Sequence, residues 1–245
     1  MSIAEKFEVI ADEVYEAGKE KEYNDFWDEY LSEKSMQFAH AFAGEGWTDK
    51  NFRPNKDIIP RKGANYMFSQ SLITNLEALI ERQGIVFDLS NAQRVDYMFS
   101  NCKSLTQLPV LNFSKATANS FQQTFYYCTN LHTIRKLILP VENANRTNLY
   151  LNTFNNCSSL ANIEVEGNIV QTISFADSPL TVESMKSIIS CLKDFTGTSN
   201  KFSYTVTFKS TAFDALEAEG ATAEYNGVAC PWAELIDHKK WNLVR

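Results

Sequence analysis

Hydrophobic positions recur in one register through the middle of the chain. Phe99, Cys102, Leu105 and Leu108 are matched by Phe125, Cys128, Leu131 and Ile134, and again by Phe154, Cys157, Leu160 and Ile163. Each set reads F-x-x-C-x-x-L-x-x-[LI]; 26 residues separate Phe99 from Phe125 and 29 separate Phe125 from Phe154. A period of that length belongs to stacked repeats. One such coil cannot close a core by itself, so its apolar positions must be covered by the coils above and below, at the β-spacing of about 4.8 Å. The pattern therefore predicts ladders of Phe, Cys and Leu or Ile through a shared interior. Each register runs on into a β-rich stretch (108–111, 134–139 and 163–165), and the variable lengths fall after these stretches, where surface loops absorb insertions at little cost.

The flanking units are atypical, as the ends of a stack must be. Before the repeats, Phe68-Ser-Gln-Ser-Leu72 leads into Leu72, Leu76, Leu79 and Ile80 at helical spacing, with Gly84 as a stop before a strand at 85–87. After them, Phe175-Ala-Asp-Ser178 replaces the Phe-x-x-Cys corner. Thr181 offers an N-cap to a helix marked by Val182, Met185, Ile189 and Leu192, and a strand is expected at 204–208. Phe213, Leu216, Trp232, Leu235 and Trp241 predict a short helix and a closing element over the last coil.

At the other end, Ile3, Phe7, Ile10, Val14 and Ala17 form a heptad seam of about two and a half heptads, followed by an aromatic face of Tyr23, Phe26, Trp27 and Tyr30. Two readings stand: a helical hairpin packed on the body, which so short a seam favours, and an element for homo-oligomerisation or docking. Residues 42–54 read as an aromatic-rich connector. The expected fold class is α/β: a short solenoid with helix–strand caps and an N-terminal helical extension. Its parts are a head and connector (1–62), the solenoid with its caps (63–210) and a closing element (211–245).

Composition narrows the function. Apolar residues at 44% and aromatics at 13% belong to a folded protein. No stretch approaches the roughly 20 apolar residues of a membrane span, so membrane insertion is not expected. Without a basic segment ahead of an apolar block, the N-terminus predicts cytoplasmic synthesis rather than secretion. Residues 1–34 hold eleven acids against four bases, so the whole net charge of −7 sits there. With no basic stripe elsewhere, nucleic acid is excluded as a partner.

The five cysteines predict reduced thiols. Cys102, Cys128 and Cys157 share one repeat position, so they should lie in a row, which cannot surround a tetrahedral zinc; they read as small apolar filler. Cys191 reads as helix core beside Ile188 and Leu192, and Cys230 takes no assignment. The three histidines, His40, His132 and His238, fall in no nucleophile motif, and the nine glycines form no phosphate cradle. The sequence calls for no catalytic residue, no metal and no cofactor: the chain is expected not to be an enzyme.

What remains is recognition by the residues between the ladder positions. Tyr126 and Tyr127 stand where sister coils carry Ser100-Asn101 and Asn155-Asn156. Large amphipathic rings are favoured interface anchors, although two tyrosines can equally cover a gap left by a long loop. His132 falls between ladder positions as a surface residue, and Arg135 and Lys136, with Glu164 one coil on, offer charge complementarity.

The repeated register resembles the BspA-like class of leucine-rich repeats, whose coil is written A-F-x-x-C-x-x-L-x-x-I, over roughly residues 66–210. Met98, Thr124 and Thr153 stand in place of the alanine, and the coils here are longer. With its helical head, the chain is also similar to small repeat proteins encoded by gut Firmicutes and their prophages. That resemblance implies a non-enzymatic binding module near a cell surface or phage tail, with virion association following cytoplasmic synthesis. The expected partner is a protein before a glycan. The alternative is an intracellular inhibitor or decoy that sequesters a bacterial defence protein, which the acidic head would suit.

Overall fold

A single column of phenylalanines runs through the chain in the computed structural model, which describes residues 38–54, 57–60, 63–117, 121–140 and 150–245. The heptad seam and aromatic face of the first 37 residues lie outside the described residues. Phe42, Phe68, Phe99, Phe125, Phe154, Phe175 and Phe208 stack in order, with successive ring centroids 4.6–6.1 Å apart. All seven are buried. The column begins inside the stretch read as a connector: Phe42 is the first described rung, packed edge-on against Trp47 and Phe52.

The phenylalanine corner has an unusual backbone. In five successive coils, the residues two before and two after the Phe take positive φ: His40, Tyr66, Tyr97, Gln123 and Asn152 on one side, Gly44, Gln70, Asn101, Tyr127 and Asn156 on the other. Alternating hand turns successive N–H groups in alternating directions. At Phe68, the N–H groups of Met67, Ser69 and Ser71 bond back within the corner (2.9–3.2 Å). Those of Tyr66, Phe68 and Gln70 reach the carbonyls of Asp96, Met98 and Ser100 on the next coil (2.8–3.1 Å). The corner thus satisfies its own backbone donors without being a strand.

Helix α1 (Leu76–Gln83) stands in the strand's place on the coil before the repeats. The Asn75 side chain caps it by accepting from the Ala78 N–H, and Gly84 ends it in the left-handed conformation, as expected. Leu72 lies before the helix and is exposed, and residues 85–87 contribute only an isolated bridge, Ile58 to Phe87. The three repeat coils then supply one parallel strand each: β1 (Gln107–Asn112), β2 (Thr133–Ile138) and β3 (Asn162–Glu166). Leu108 pairs with Ile134 and Ile134 with Ile163, so the ladder positions fall in register, with an irregularity in β2 between Ile134 and Leu137. Pro109 lies in β1, an edge strand, where a missing donor is tolerated.

The other edge is closed by side chains. Strand β4 (Ile173–Phe175) is followed by α2 (Val182–Ser190), capped by Thr181. The Ser184 and Ser187 hydroxyls, one turn apart, accept from the N–H groups of Ile163 (2.9 Å) and Val165 (2.8 Å). Serine spacing on a helix here substitutes for a fourth strand. Leu192, expected in the helix, lies just beyond it and bridges to Ile169.

The strand expected at 204–208 forms, and the C-terminal part after it holds two helices and a hairpin where one short helix and a closing element were expected. After β5 (Thr205–Phe208) come α3 (Ser210–Ala218), a hairpin of β6 (Thr222–Tyr225) and β7 (Val228–Pro231), α4 (Trp232–His238) and β8 (Asn242–Val244). Strands β4, β5 and β8 make a second parallel sheet. Lys239, just past α4, donates to the carbonyls of Ile189 (3.1 Å), Ser190 (2.8 Å) and Leu192 (2.9 Å), tying the closing element to the C-terminal end of α2. The whole is a mixed α/β chain around about three β-solenoid coils. Among the described residues, no helix is long and apolar enough to cross a membrane.

Candidate binding surface

The cysteine row has a bonding role as well as a packing one. Each thiol donates to the carbonyl of the phenylalanine one coil back: Cys102 to Phe68 (2.9 Å), Cys128 to Phe99 (2.9 Å) and Cys157 to Phe125 (3.1 Å). Burial pushes the Cys102 and Cys157 thiols up to about 12, and burial, followed by the neighbouring thiols, raises Cys128 well above the ordinary thiol value. Protonated and inward-facing, the row presents no nucleophile to solvent. Ser71 and Ser178 occupy the equivalent position on the flanking coils; Ser178 donates to the Cys157 carbonyl at 3.3 Å, and the Ser71 hydroxyl lies 3.6 Å from the Cys102 sulfur. Thr124 and Thr153, at the alanine position of the repeat, donate to Val95 (3.1 Å) and Phe121 (2.6 Å) of the coil before.

The six residues singled out from the sequence fall into three groups on the surface. Tyr126 and Tyr127 touch edge to face, ring centroids 4.7 Å apart, and Tyr127 is 37% exposed. His132 is exposed at the start of β2, with its Nδ1 3.2 Å from the Thr133 hydroxyl and 3.3 Å from the Asn162 amide. Arg135, Lys136 and Glu164 come together on the sheet, but inside ion pairs: Arg135 with Glu77 at 2.7 Å, Lys136 with Glu164 at 2.9 Å and with Glu166 at 2.7 Å. Donating hydrogen bonds to these carboxylates raises the guanidinium of Arg135 and the ammonium of Lys136 above their ordinary values.

Glu77 was not legible as a partner. It lies 58 residues before Arg135, on α1, and is buried while also accepting from the Gln107 side chain. Arg135 and Glu164 line an open cleft of about 480 Å³ between the sheet and α2, together with Thr133, Asn162, Glu183 and Lys186. Its charges alternate in sign, so it offers a partner several polar contacts but little net field.

A second surface row escaped the sequence reading. His40, Tyr66 and Tyr97, each two residues before a ladder phenylalanine, stack with centroids 4.6 Å apart and planes 7° and 3° from parallel. Part of the signal was available: counting back two from Phe68 and Phe99 gives Tyr66 and Tyr97, whereas Phe125 and Phe154 give Gln123 and Asn152.

The architecture defines the class: a short β-solenoid capped at both ends by helix-bearing units. Comparison with known protein families, with characterised proteins and with solved structures returned no match in any of the three.

Proposed function

We propose that the chain is a non-enzymatic protein-binding module of the BspA-like leucine-rich-repeat class, working at a cell surface or on a prophage-encoded particle. The observation that carries the reading is Tyr127. It has φ +59°, a conformation in which a bulky side chain is disfavoured, and sister coils place Gly44, Gln70, Asn101 and Asn156 there. A large ring held exposed in a costly backbone conformation, edge to face with Tyr126, suits recognition better than packing. The phenylalanine, cysteine and leucine ladders support the repeat class.

The test is capture by the immobilised full chain from host-cell lysate and from intact host cells, run beside a Tyr126→Ser/Tyr127→Asn double variant. A protein retained by the parent and lost by a variant of unchanged melting temperature supports the reading; equal capture by both overturns it. The acidic first 34 residues favour a second reading, an intracellular inhibitor or decoy. That reading requires the Tyr127-dependent partner to come from lysate and not from intact cells.

A further inference from the structure

We propose that the cleft between the Phe154 corner and the β4–β5 sheet is a binding site for an uncharged saccharide. It opens where two backbone geometries meet. At Phe42, Phe68, Phe99 and Phe125, the N–H groups of the Phe and of the residue two before it all donate to the next coil, at 2.7–3.2 Å. The coil after Phe154 instead presents β4, an extended strand, and among the described residues no carbonyl receives the N–H of Asn152. Only Asn156 is met, by the Asp177 carboxylate at 2.7 Å. A left-handed corner cannot hydrogen-bond in register to a pleated strand, and the mismatch leaves a space of about 490 Å³, within the range that holds small ligands.

The lining defines the ligand. Asn152, Asn155, Gln171, Thr172, Ser203 and Tyr204 form its polar wall, and among the described residues no Asp, Glu, Lys, Arg or His borders it. An ion would enter without a counter-charge, which low-dielectric surroundings penalise. Amides and hydroxyls both donate and accept, as the hydroxyls of a sugar do. The Asn155 amide donates to the Asn152 carbonyl oxygen at 3.0 Å, which orients both groups and leaves the Asn155 oxygen and the Asn152 amino group for a ligand. Thr172 accepts from the Thr205 N–H at 3.1 Å and keeps its own hydroxyl proton to donate. Tyr204 is braced by Phe195 (5.2 Å) and Trp241 (5.8 Å), giving a fixed aromatic surface for the C–H face of a sugar ring. The cleft adjoins the Tyr127 corner, whose N–H donates to the Asn155 carbonyl at 3.0 Å, but neither Tyr126 nor Tyr127 lines it, so the proposal does not rest on the protein-binding reading.

The test is calorimetric titration of the full chain with maltotriose, cellotriose and triacetylchitotriose, with sialyllactose as the charged control. At least one neutral trisaccharide should bind saturably and sialyllactose should not. Asn155→Leu should weaken that binding about tenfold or more. Ser203→Lys, at an exposed position, should abolish it by placing charge and bulk at the rim, with an unchanged melting temperature as the check on folding. Tyr127→Asn should leave it unchanged. The proposal is overturned if no neutral trisaccharide binds, if sialyllactose binds as well as they do, or if Ser203→Lys retains the parent's affinity.

Discussion

The thiol of Cys128 donates to the carbonyl oxygen of Phe99, one coil back, at 2.9 Å, while the same carbonyl accepts the Cys102 N–H at 3.1 Å. Each ladder phenylalanine carbonyl from Phe68 to Phe125 is shared in this way between its own corner and the next coil's cysteine. Removing the thiol therefore leaves the carbonyl bonded, and the loss is one hydrogen bond plus a small cavity. Cys128→Ala should cost about 1–2 kcal/mol in denaturant unfolding. Cys128→Ser should cost less, because serine already serves at the equivalent positions Ser71 and Ser178. A serine variant less stable than the alanine variant would show that the thiol acts by bulk alone.

The same burial gives the protein an alkaline liability. Thiols raised to about 12 at Cys102 and Cys157 stay protonated in the folded chain, whereas unfolded thiols ionise near 8.5. The folded state then binds more protons than the unfolded one, so stability is intact below that value and falls as pH rises through it. The slope is up to about 1.4 kcal/mol per pH unit for each thiol. Unfolding midpoints measured from pH 7 to pH 10.5 should drop more steeply for the parent than for Cys128→Ser, with the two curves converging upward in pH. Parallel curves would remove the thiols as the cause.

The repeat was legible because stacking forces one side-chain type into each ladder position: Phe99, Phe125 and Phe154 announce themselves by recurrence. Thr181 and Gly84 were legible for a local reason, since capping and left-handed termination each favour few residue types. Phe42 was missed because its coil keeps the aromatic but carries Ala43, Gly44 and Glu45 in place of the cysteine signature. The left-handed corners were legible only in part: Gly44, Asn101, Asn152 and Asn156 are types that favour positive φ, whereas Tyr66, Gln70, Tyr97 and Gln123 are not. The Arg135–Glu77 pair and the saccharide cleft arise only from three-dimensional stacking, the first across 58 residues and the second from a mismatch between neighbouring backbones.

Gly167, just past β3, lies hard against the backbone of Leu139. Its φ is +97°, and a Cβ there would lie 2.3 Å from the Leu139 carbonyl oxygen. Both the conformation and the contact with backbone oppose any side chain. Gly167→Ala should cost about 2–4 kcal/mol, against a smaller loss of about 1–2 kcal/mol for Gly197→Ala, whose φ is also positive but whose Cβ meets nothing within 4 Å. Comparing the two by thermal unfolding separates the clash from the backbone term. Equal losses would mean that the coils separate readily at Leu139.

Lys239 tests whether the closing element is integral to the solenoid. Its ammonium is the only group shown meeting all three carbonyls of Ile189, Ser190 and Leu192 at the end of α2, and its desolvation there lowers it below the ordinary lysine value. A cation at a helix C-terminus is favoured by the aligned peptide dipoles, which offsets that desolvation. Lys239→Met keeps the aliphatic stem but removes the donor from the Ser190 and Leu192 carbonyls, while the Ile189 carbonyl keeps the Leu192 N–H, and should cost about 1–3 kcal/mol. The loss should appear as earlier hydrogen exchange in both α2 and α4, because the side chain spans them. Exchange confined to α4 would show that the closing element unfolds independently, leaving α2 to shield the edge of β3 through Ser184 and Ser187 alone.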